Sequence, residues 1–521
     1  MIGFLTLVSR VLGMVRDIVS AKSFGTTWPW DALIYAFMLP NFLRRLVGDG
    51  AITSAFIPLY TEMMQKEGEE AARRFANVIF TFLFWGLIFF LGSTEVLLVI
   101  LLKGMALAPV VRLTLQLLQI LFPYLFFIAL SALAAGVQNC HHRFFSPSLS
   151  PIVLDLVWIV AVLWVCPWAG PQAENRVLLL AICLFVSGAI QLSLQIPSLL
   201  QCGYSPKFLW DLSHPGLRRV GKLLLMSLAG FAVIQIDILV DMTMGLWVGP
   251  GANSSLWYGN RLMQFPLGVF AIAMGTAVLP TISHQTARQE FEEAKKTLSF
   301  ALRVIFLIVL PATVGLIVLR TPIIQLLFER GEFDAVSTSR TAFVLLCYTL
   351  GLFAYSGQKI MVTGFYSLQD TKTPVKIGVV ALLVNVFFNF ALMPFLREGG
   401  LALATSVSGV VNFVLLVYLF QKKIGGFQVE EVLTSSLRIL AASLFMGIFA
   451  WYFFQGIYGL MHGEKTFRLL FGVFGSLGLS TLVYIGLCFL FRVPEIREAI
   501  RWFRESRNQP DISGKVGEEL S

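Results

Sequence analysis

The chain is a series of apolar runs, each long enough to cross a membrane. Fourteen runs of about 20 residues are separated by short stretches rich in Pro, Gly and charged residues. The sequence is 57% hydrophobic and 13% charged, with a mean hydropathy of +0.78, which excludes a large soluble domain. These runs predict an all-α polytopic membrane protein. The predicted spans lie near 2–24, 30–58, 76–102, 112–139, 148–168, 176–200, 220–248, 256–282, 298–319, 340–367, 374–396, 400–421, 436–460 and 467–491.

Basic residues are divided unequally between the loops on the two sides. The even-numbered gaps between spans and the C-terminal tail hold 21 of the 39 Lys and Arg residues, whereas the odd-numbered gaps hold 9. Because loops rich in Lys and Arg stay in the cytoplasm, both termini are predicted to be cytoplasmic. The net charge of +9 therefore reflects topology, and no nucleic-acid partner is expected.

The first twelve spans form two similar halves. Pro58 corresponds to Pro280, 222 residues later, and both Arg112 and Gly136 have counterparts 228 residues later. Each span of the first half corresponds to the span six positions later, and an even offset preserves the direction in which a span crosses the membrane. The halves are therefore predicted to be parallel repeats about an axis along the membrane normal, as in some transporters. The predicted domains are an N-lobe with helices 1–6 (1–205), a C-lobe with helices 7–12 (206–425), two extra helices (426–492) and a basic cytoplasmic tail (493–521).

Arginines lie inside the first two apolar spans. A guanidinium stays charged at membrane depth, and each one placed centrally in lipid would cost roughly 2.5–3.5 kcal/mol. These arginines therefore either pair within the helix bundle or line a wet cavity that receives an anion. Few acidic residues lie nearby, which favours the cavity, although an internal ion pair stays open for Arg10 and Arg16 and is the stronger interpretation for Arg45. The arginines are Arg10, Arg16, Arg44 and Arg45, and the nearby acids are Asp17, Asp31 and Asp49.

The second half supplies Arg261, in the segment WYGNRLMQFPLG of the eighth span. Two parallel lobes would leave a central cleft near the midplane, where arginines from both halves could face one ligand. Arginine binds phosphate oxygens through two parallel hydrogen bonds, so this pattern indicates a phosphate-bearing substrate.

Four segments carry a close resemblance to the MurJ (MviN) family, the lipid II flippases of bacterial peptidoglycan synthesis within the multidrug/oligosaccharidyl-lipid/polysaccharide exporter superfamily. The segments are SRVLGMVRD, WDALIYAFMLPNFLRRLVGDGAITSAFIP, YGNRLMQFPLGVFAIAMGTAVLP and GFYSLQDTKTPVKI. The chain departs from relatives at Met38, where some carry Lys, and at Gln264, where some carry Glu.

The resemblance implies a site, partners and a location. It places Arg10, Arg16, Arg44 and Arg261 at the family's cavity arginines and Asp31 at its cavity acid. It also implies that helices 13 and 14 form a groove for the undecaprenyl tail. The implied partners are lipid II, membrane lipids and other cell-wall synthesis proteins, and the implied location is the bacterial inner membrane.

A coupling ion is a further expectation, and no other cofactor is expected. Asp241 on helix 7, Asn385 and Asn389 one turn apart on helix 11, and Thr405 on helix 12 offer oxygen ligands to a small cation. Some family members resemble this pattern in binding Na⁺ at such positions. Hydrogen bonding between helices by the same side chains is the alternative.

Three functions are compared. A lipid II flippase fits the arginines and the two added helices best. An exporter of another polyprenyl-linked glycan, or a multidrug antiporter of the same superfamily, is the alternative, although drug antiporters typically have twelve helices and depend on buried acids. A membrane enzyme acting on polyprenyl diphosphates would need a clustered acidic metal motif or a catalytic His, and the sequence carries none of these, so we predict that the chain is not an enzyme.

Overall fold

The computed structural model describes residues 2–44 and 55–496, without the side chains of Ile2 and residues 224–235. Long helices account for most of this part of the chain, as the apolar runs predict. Proline at the first turn begins several of them, because its missing N–H would have no helical partner there. The helices of the first half are α1 (Ile2–Phe24), α2 (Trp28–Arg44), α3 (Ile57–Lys66), α4 (Glu69–Gly104), α5 (Pro109–Leu121), α6 (Tyr124–Cys140), α7 (Phe145–Val160) and α8 (Ala173–Gln201).

The second half repeats this pattern of long helices with short connections. A π-helical turn, Leu267–Ala271, joins α10 to α11, and another, Ala161–Val165, follows α7 and leads into a 3₁₀ turn at Cys166–Ala169. The helices are α9 (Pro215–Val248), α10 (Ala252–Pro266), α11 (Ile272–Ala287), α12 (Phe291–Leu327), α13 (Ala335–Thr349), α14 (Leu352–Ser367), α15 (Lys372–Leu396), α16 (Glu398–Ile424), α17 (Val429–Leu460) and α18 (Lys465–Leu490).

Ten helical segments in the described part of the chain are long and apolar enough to cross a membrane, or eleven if the pair α13 and α14, bent by 41°, is one span. The prediction of an all-helical polytopic membrane protein is confirmed. The remaining predicted spans coincide with α1, which carries three charges between Arg10 and Asp17, with α2, and with α9. Because the second predicted span runs through residues 45–54, which the structure does not describe, the count of fourteen stays a prediction.

Two compact units divide the chain. The first comprises Met1–Tyr258, Leu327–Arg340 and Asn389–Leu401, and the second comprises Gly259–Leu326, Thr341–Phe388 and Ala402–Ser521. These units rest on spatial contacts, whereas the predicted domains rest on sequence correspondence, so the boundaries at 205, 425 and 492 stay predictions. Most of the predicted basic tail lies outside the described residues.

Packing within the first unit is close enough to require small residues at helix crossings. A Cβ added at Gly188 of α8 would come within 2.7 Å of the Tyr124 ring of α6, so glycine lets these helices approach. Phe56, Tyr60 and Phe75 are buried together where α3 meets α4.

In the second unit, α17 and α18 pack against each other and against α12. Phe454 of α17 and Leu469 of α18 share an apolar cluster with Leu319 of α12. The Tyr484 hydroxyl of α18 donates a hydrogen bond of 2.7 Å to the Leu307 carbonyl oxygen of α12. The two extra helices are therefore attached to α12 within this unit, whereas their predicted role as a groove for a lipid tail stays a prediction.

Loops predicted to lie on the same side of the membrane are joined by polar contacts. At even-numbered gaps in the first unit, Arg74 pairs with Asp211 at 3.1 Å and Tyr60 shares a hydrogen bond with His141 at 3.2 Å. In the second unit Lys423 pairs with Asp370 at 2.6 Å. Burial raises the pKa of the Asp370 carboxyl, but hydrogen bonds from Lys423 and Thr373 outweigh it and hold the pKa below its usual range.

Candidate functional site

Arg16, the second arginine of α1, is buried in an ion-pair cluster. Its Nη1 donates to Asp155 Oδ1 at 2.9 Å, and its Nη2 and Nε donate to Asp17 Oδ1 at 3.0 and 3.1 Å. The three residues are 7%, 5% and 2% exposed in the order Arg16, Asp155, Asp17. The internal ion pair that the sequence left open as an alternative is therefore the arrangement that this structure has for Arg16.

Two tryptophan rings lie near this guanidinium. Its carbon lies 4.9 Å from the ring centroid of Trp158 and 6.0 Å from that of Trp257. The Trp158 indole N–H donates to the Ser20 hydroxyl at 3.0 Å, which adds a second link between α1 and α7. A cation beside aromatic faces is stabilised electrostatically by the ring quadrupoles, so the cluster suits a buried charged side chain.

Asp31, in the first turn of α2, accepts hydrogen bonds from the start of α10. One carboxylate oxygen accepts from the Gly251 N–H at 2.5 Å, and the other accepts from the Ser254 N–H at 2.7 Å and from the Ser254 hydroxyl. The first N–H groups of a helix have no partner within it, and a carboxylate at that end also complements the helix dipole. Asp31 is 3% exposed and acts structurally as a cap for α10.

The Asp31 contact belongs to a larger group of contacts at the odd-numbered gaps, which we call the odd-gap cluster and define as Thr26, Asp31, Gly251, Ser337 and Arg340. The Thr26 and Ser337 hydroxyls lie 2.8 Å apart, and Arg340 Nη1 donates to the Pro250 carbonyl at 2.8 Å. Gly251 has a φ of +84°, and a Cβ there would lie 2.8 Å from the Thr26 carbonyl oxygen. Glycine at 251 therefore permits both the backbone conformation and the close approach.

The other predicted arginines lie in different surroundings. Arg10 is exposed on α1, six residues before the buried Arg16. Arg44, the last residue of α2, is half-buried, and its Nε donates to Asn41 Oδ1 at 2.8 Å. Arg45 and Asp49 lie outside the described residues.

Arg261 lies on α10, whose first turn Asp31 caps. It is half-buried and stands nine residues after Ala252, about 13.5 Å along the helix at 1.5 Å per residue. Six residues beyond it the helix passes into the π-helical turn Leu267–Ala271. Single π turns inside helices occur frequently at functional sites.

The predicted cation ligands form two hydrogen-bonded pairs, one in each unit. In the first unit Asn389 Nδ2 donates to Asp241 Oδ1 at 2.7 Å, and in the second Asn385 Nδ2 donates to Thr405 Oγ1 at 3.3 Å. Asp241 and both asparagines are buried. Buried carboxylate and amide oxygens suit a hard cation, and the same groups also bond helix to helix, so both interpretations stay open. Among the described residues no group of three or more His, Cys, Asp or Glu could hold a metal ion.

Comparison with known proteins identifies the family. A family profile described as "Lipid II flippase MurJ" matches residues 20–469. The chain belongs to the MurJ lipid II flippase family. The protein from Haemophilus influenzae described as "Probable lipid II flippase MurJ" is 34% identical over 479 residues, covering 86% of this chain and 91% of that protein. "Lipid II flippase MurJ" of Burkholderia cenocepacia is 33% identical over 436 residues, covering 81% of this chain and 83% of that protein.

Solved structures agree with the family assignment. The structure titled "Lipid II flippase MurJ, inward closed conformation" matches with a TM-score of 0.75 and 27% identity over 96% of this chain and 99% of that chain. An inward-facing multidrug resistance MATE family transporter of the MOP superfamily matches with a TM-score of 0.65 over 80% of this chain and 94% of that chain, but only 13% identity, so it shows the fold alone. Both the predicted family and the prediction that this protein is a transporter, not an enzyme, are confirmed.

The site predicted from the sequence did not include two acidic residues that lie within apolar helices. Asp155 of α7 pairs with Arg16, and Asp237 of α9 lies one turn before Asp241 and is half-buried. A signal was present, because an ionisable residue within an apolar span is rare unless it has a partner or a function. The partner of Asp155 was not predictable, since 139 residues separate it from Arg16.

Removing the Asp31 carboxylate is expected to loosen the start of α10. Asp31→Ala leaves the Gly251 and Ser254 N–H groups without this acceptor, which should cost about 2 kcal/mol of stability. Hydrogen–deuterium exchange should become faster at the amides of residues 251–255. Asp31→Asn keeps an oxygen acceptor and should show a smaller effect. Unchanged exchange in Asp31→Ala would show that the cap does not hold this helix end.

Proposed function

We propose that this MurJ family member moves lipid II from the cytoplasmic to the outer leaflet of the inner membrane by alternating access, with its diphosphate held by cavity arginines. Membership of the family supports lipid II as the substrate. The observation that carries the mechanism is an exposed arginine on an apolar face of a membrane helix, Arg10 of α1.

The surroundings of Arg10 support a water-filled space beside α1. Phe4, Leu7 and Val11 of the same helix are 68%, 59% and 56% exposed. Lipid can cover such apolar side chains, but a guanidinium facing lipid near the bilayer centre would cost roughly 2.5–3.5 kcal/mol. A wet cavity on this side of α1 removes that cost, and it offers the charge to an anion.

The chemistry of lipid II explains why cationic side chains would be needed. Its diphosphate, disaccharide and peptide cannot cross hydrocarbon unaided, because polar groups lose their hydrogen bonds with water there. Arg10, Arg44 and Arg261 would replace those bonds with charge-assisted ones, while the polyprenyl chain stays in lipid. In this proposal α17 and α18 provide the groove for that chain.

The odd-gap cluster would close the outer end of the path. Lys and Arg are scarce in the odd-numbered gaps, which assigns these gaps to the outside and both termini to the cytoplasm. The hydrogen bonds that Asp31 accepts from Gly251 and Ser254 would then have to break before the head group leaves outward. Fourteen spans and two parallel lobes are part of this proposal.

A coupling ion completes the proposal. Na⁺ is the candidate, and Asp241 with Asn389 is the pair in the first unit that offers buried carboxylate and amide oxygens. When bound, such an ion would supply charge balance to the Asp241 carboxylate. Other cell-wall synthesis proteins are the expected protein partners.

Complementation tests the proposed function. A bacterium depleted of its own flippase should regain externalised lipid II when it expresses this chain, and labelling of lipid II on the outer face measures this. A chain present in the membrane at normal level that fails to restore externalisation would favour export of another polyprenyl-linked glycan or of drugs. Export assays with those compounds on the same cells would then separate the two alternatives.

A further inference from the structure

The cluster around Arg16 places two carboxylates against one guanidinium. The Arg16 guanidinium is bound by both Asp17 and Asp155. All three side chains are buried, so water screens their charges weakly. A diphosphate that binds Arg16, as predicted for this arginine, would therefore have to displace a carboxylate that already holds the guanidinium.

The two carboxylates differ in how they constrain Arg16. Asp17 is the next residue of α1 and moves with it, whereas Asp155 belongs to α7. Trp158, three residues after Asp155, also lies over the guanidinium and donates to Ser20 of α1. Asp155 is therefore the charged group that holds the Arg16 guanidinium against α7.

We propose that Asp155 is a positioning residue that competes with the diphosphate of the substrate for Arg16. In the arrangement described here Asp155 retains the guanidinium within the helix bundle. Loading of the substrate exchanges Asp155 for phosphate oxygens, and return of Asp155 to Arg16 promotes release of the product. This inference rests on the proposed function and adds a residue to its site.

The substitution Asp155→Asn separates competition from structural support. Arg16 keeps Asp17 in this variant, so its buried guanidinium still has a carboxylate partner. Asp155→Glu keeps the charge. Glu495→Gln is the matched control, because Glu495 is a fully buried carboxylate 3.3 Å from Arg303 in the second unit.

The experiment measures binding and transport separately on the full-length protein. Purified variants in nanodiscs are titrated with undecaprenyl diphosphate, and lipid II externalisation is measured in complemented cells at equal membrane level. We expect Asp155→Asn to bind undecaprenyl diphosphate about tenfold more tightly, the effect of one charge-assisted hydrogen bond, and to externalise lipid II more slowly. Asp155→Glu and Glu495→Gln should bind like the wild type.

Other results would overturn the inference. Unchanged or weaker binding by Asp155→Asn, at a wild-type thermal midpoint, would show that Asp155 does not compete for Arg16. If Asp155→Asn does not fold, Asp155→Ser provides a second neutral variant that is judged by the same binding criterion. If the wild type binds undecaprenyl diphosphate but does not externalise lipid II, the proposed function is refuted. The competition between Asp155 and a diphosphate for Arg16 would still be tested by the binding measurement.

Discussion

Arg261→Ala is expected to abolish externalisation of lipid II by this chain while leaving its level in the membrane unchanged. The arginine is half-buried on α10, and its guanidinium can donate two parallel hydrogen bonds to one phosphate group. Each hydrogen bond to a charged group contributes about 1.5–3 kcal/mol, so the loss of both should reduce transport by at least ~10²-fold. The measurement is labelling of externalised lipid II in cells depleted of their own flippase.

Two further variants control this prediction. Arg261→Lys keeps the charge but loses the planar pair of donors, so it should retain intermediate transport. Arg74→Ala removes an exposed arginine that pairs with Asp211 at an even-numbered gap, and it should behave like the wild type. Normal transport by Arg261→Ala would show that Arg261 is structural and that the predicted diphosphate site is wrong.

Arg16→Ala is expected to destabilise the folded protein strongly. It leaves the Asp17 and Asp155 carboxylates buried without their guanidinium, and removal of one partner from a buried ion pair costs about 3–5 kcal/mol. The thermal midpoint of the purified protein should fall, and it should recover when Asp17→Asn and Asp155→Asn are added. Arg10→Ala, at an exposed arginine of the same helix, should lower the midpoint less than Arg16→Ala does.

This expected instability affects how transport data on Arg16 are interpreted. Loss of transport in Arg16→Ala would report the absence of folded protein as readily as the absence of a substrate contact. The triple variant with neutral amides at 17 and 155 separates the two effects, because it removes the guanidinium and the uncompensated charge together. A thermal midpoint of Arg16→Ala equal to that of the wild type would contradict the burial of this ion pair.

The sequence was sufficient for the fold class and for the positions of most helices. The α17 and α18 helices, for example, span Val429–Leu460 and Lys465–Leu490, and the predicted runs at 436–460 and 467–491 lie within them except for residue 491. Hydropathy succeeds here because it sums over about 20 neighbouring residues, so the cost of leaving a span in water is a local property. The charged residues within α1 lower its hydropathy, so this helix does not have the composition expected of an apolar span.

The partners of those charged residues depended on the tertiary structure. Asp31 was predicted as a cavity acid, and the fold uses its carboxylate to cap α10, 220 residues away. Arg16 pairs with Asp155, a residue absent from the predicted site. Residue order and hydropathy were enough to show that charged side chains lie within predicted membrane helices and need polar partners. Only the packing of helices distant in sequence decided which atoms satisfy them, because hydrogen bonds require contact within about 3 Å and local composition carries no such distance.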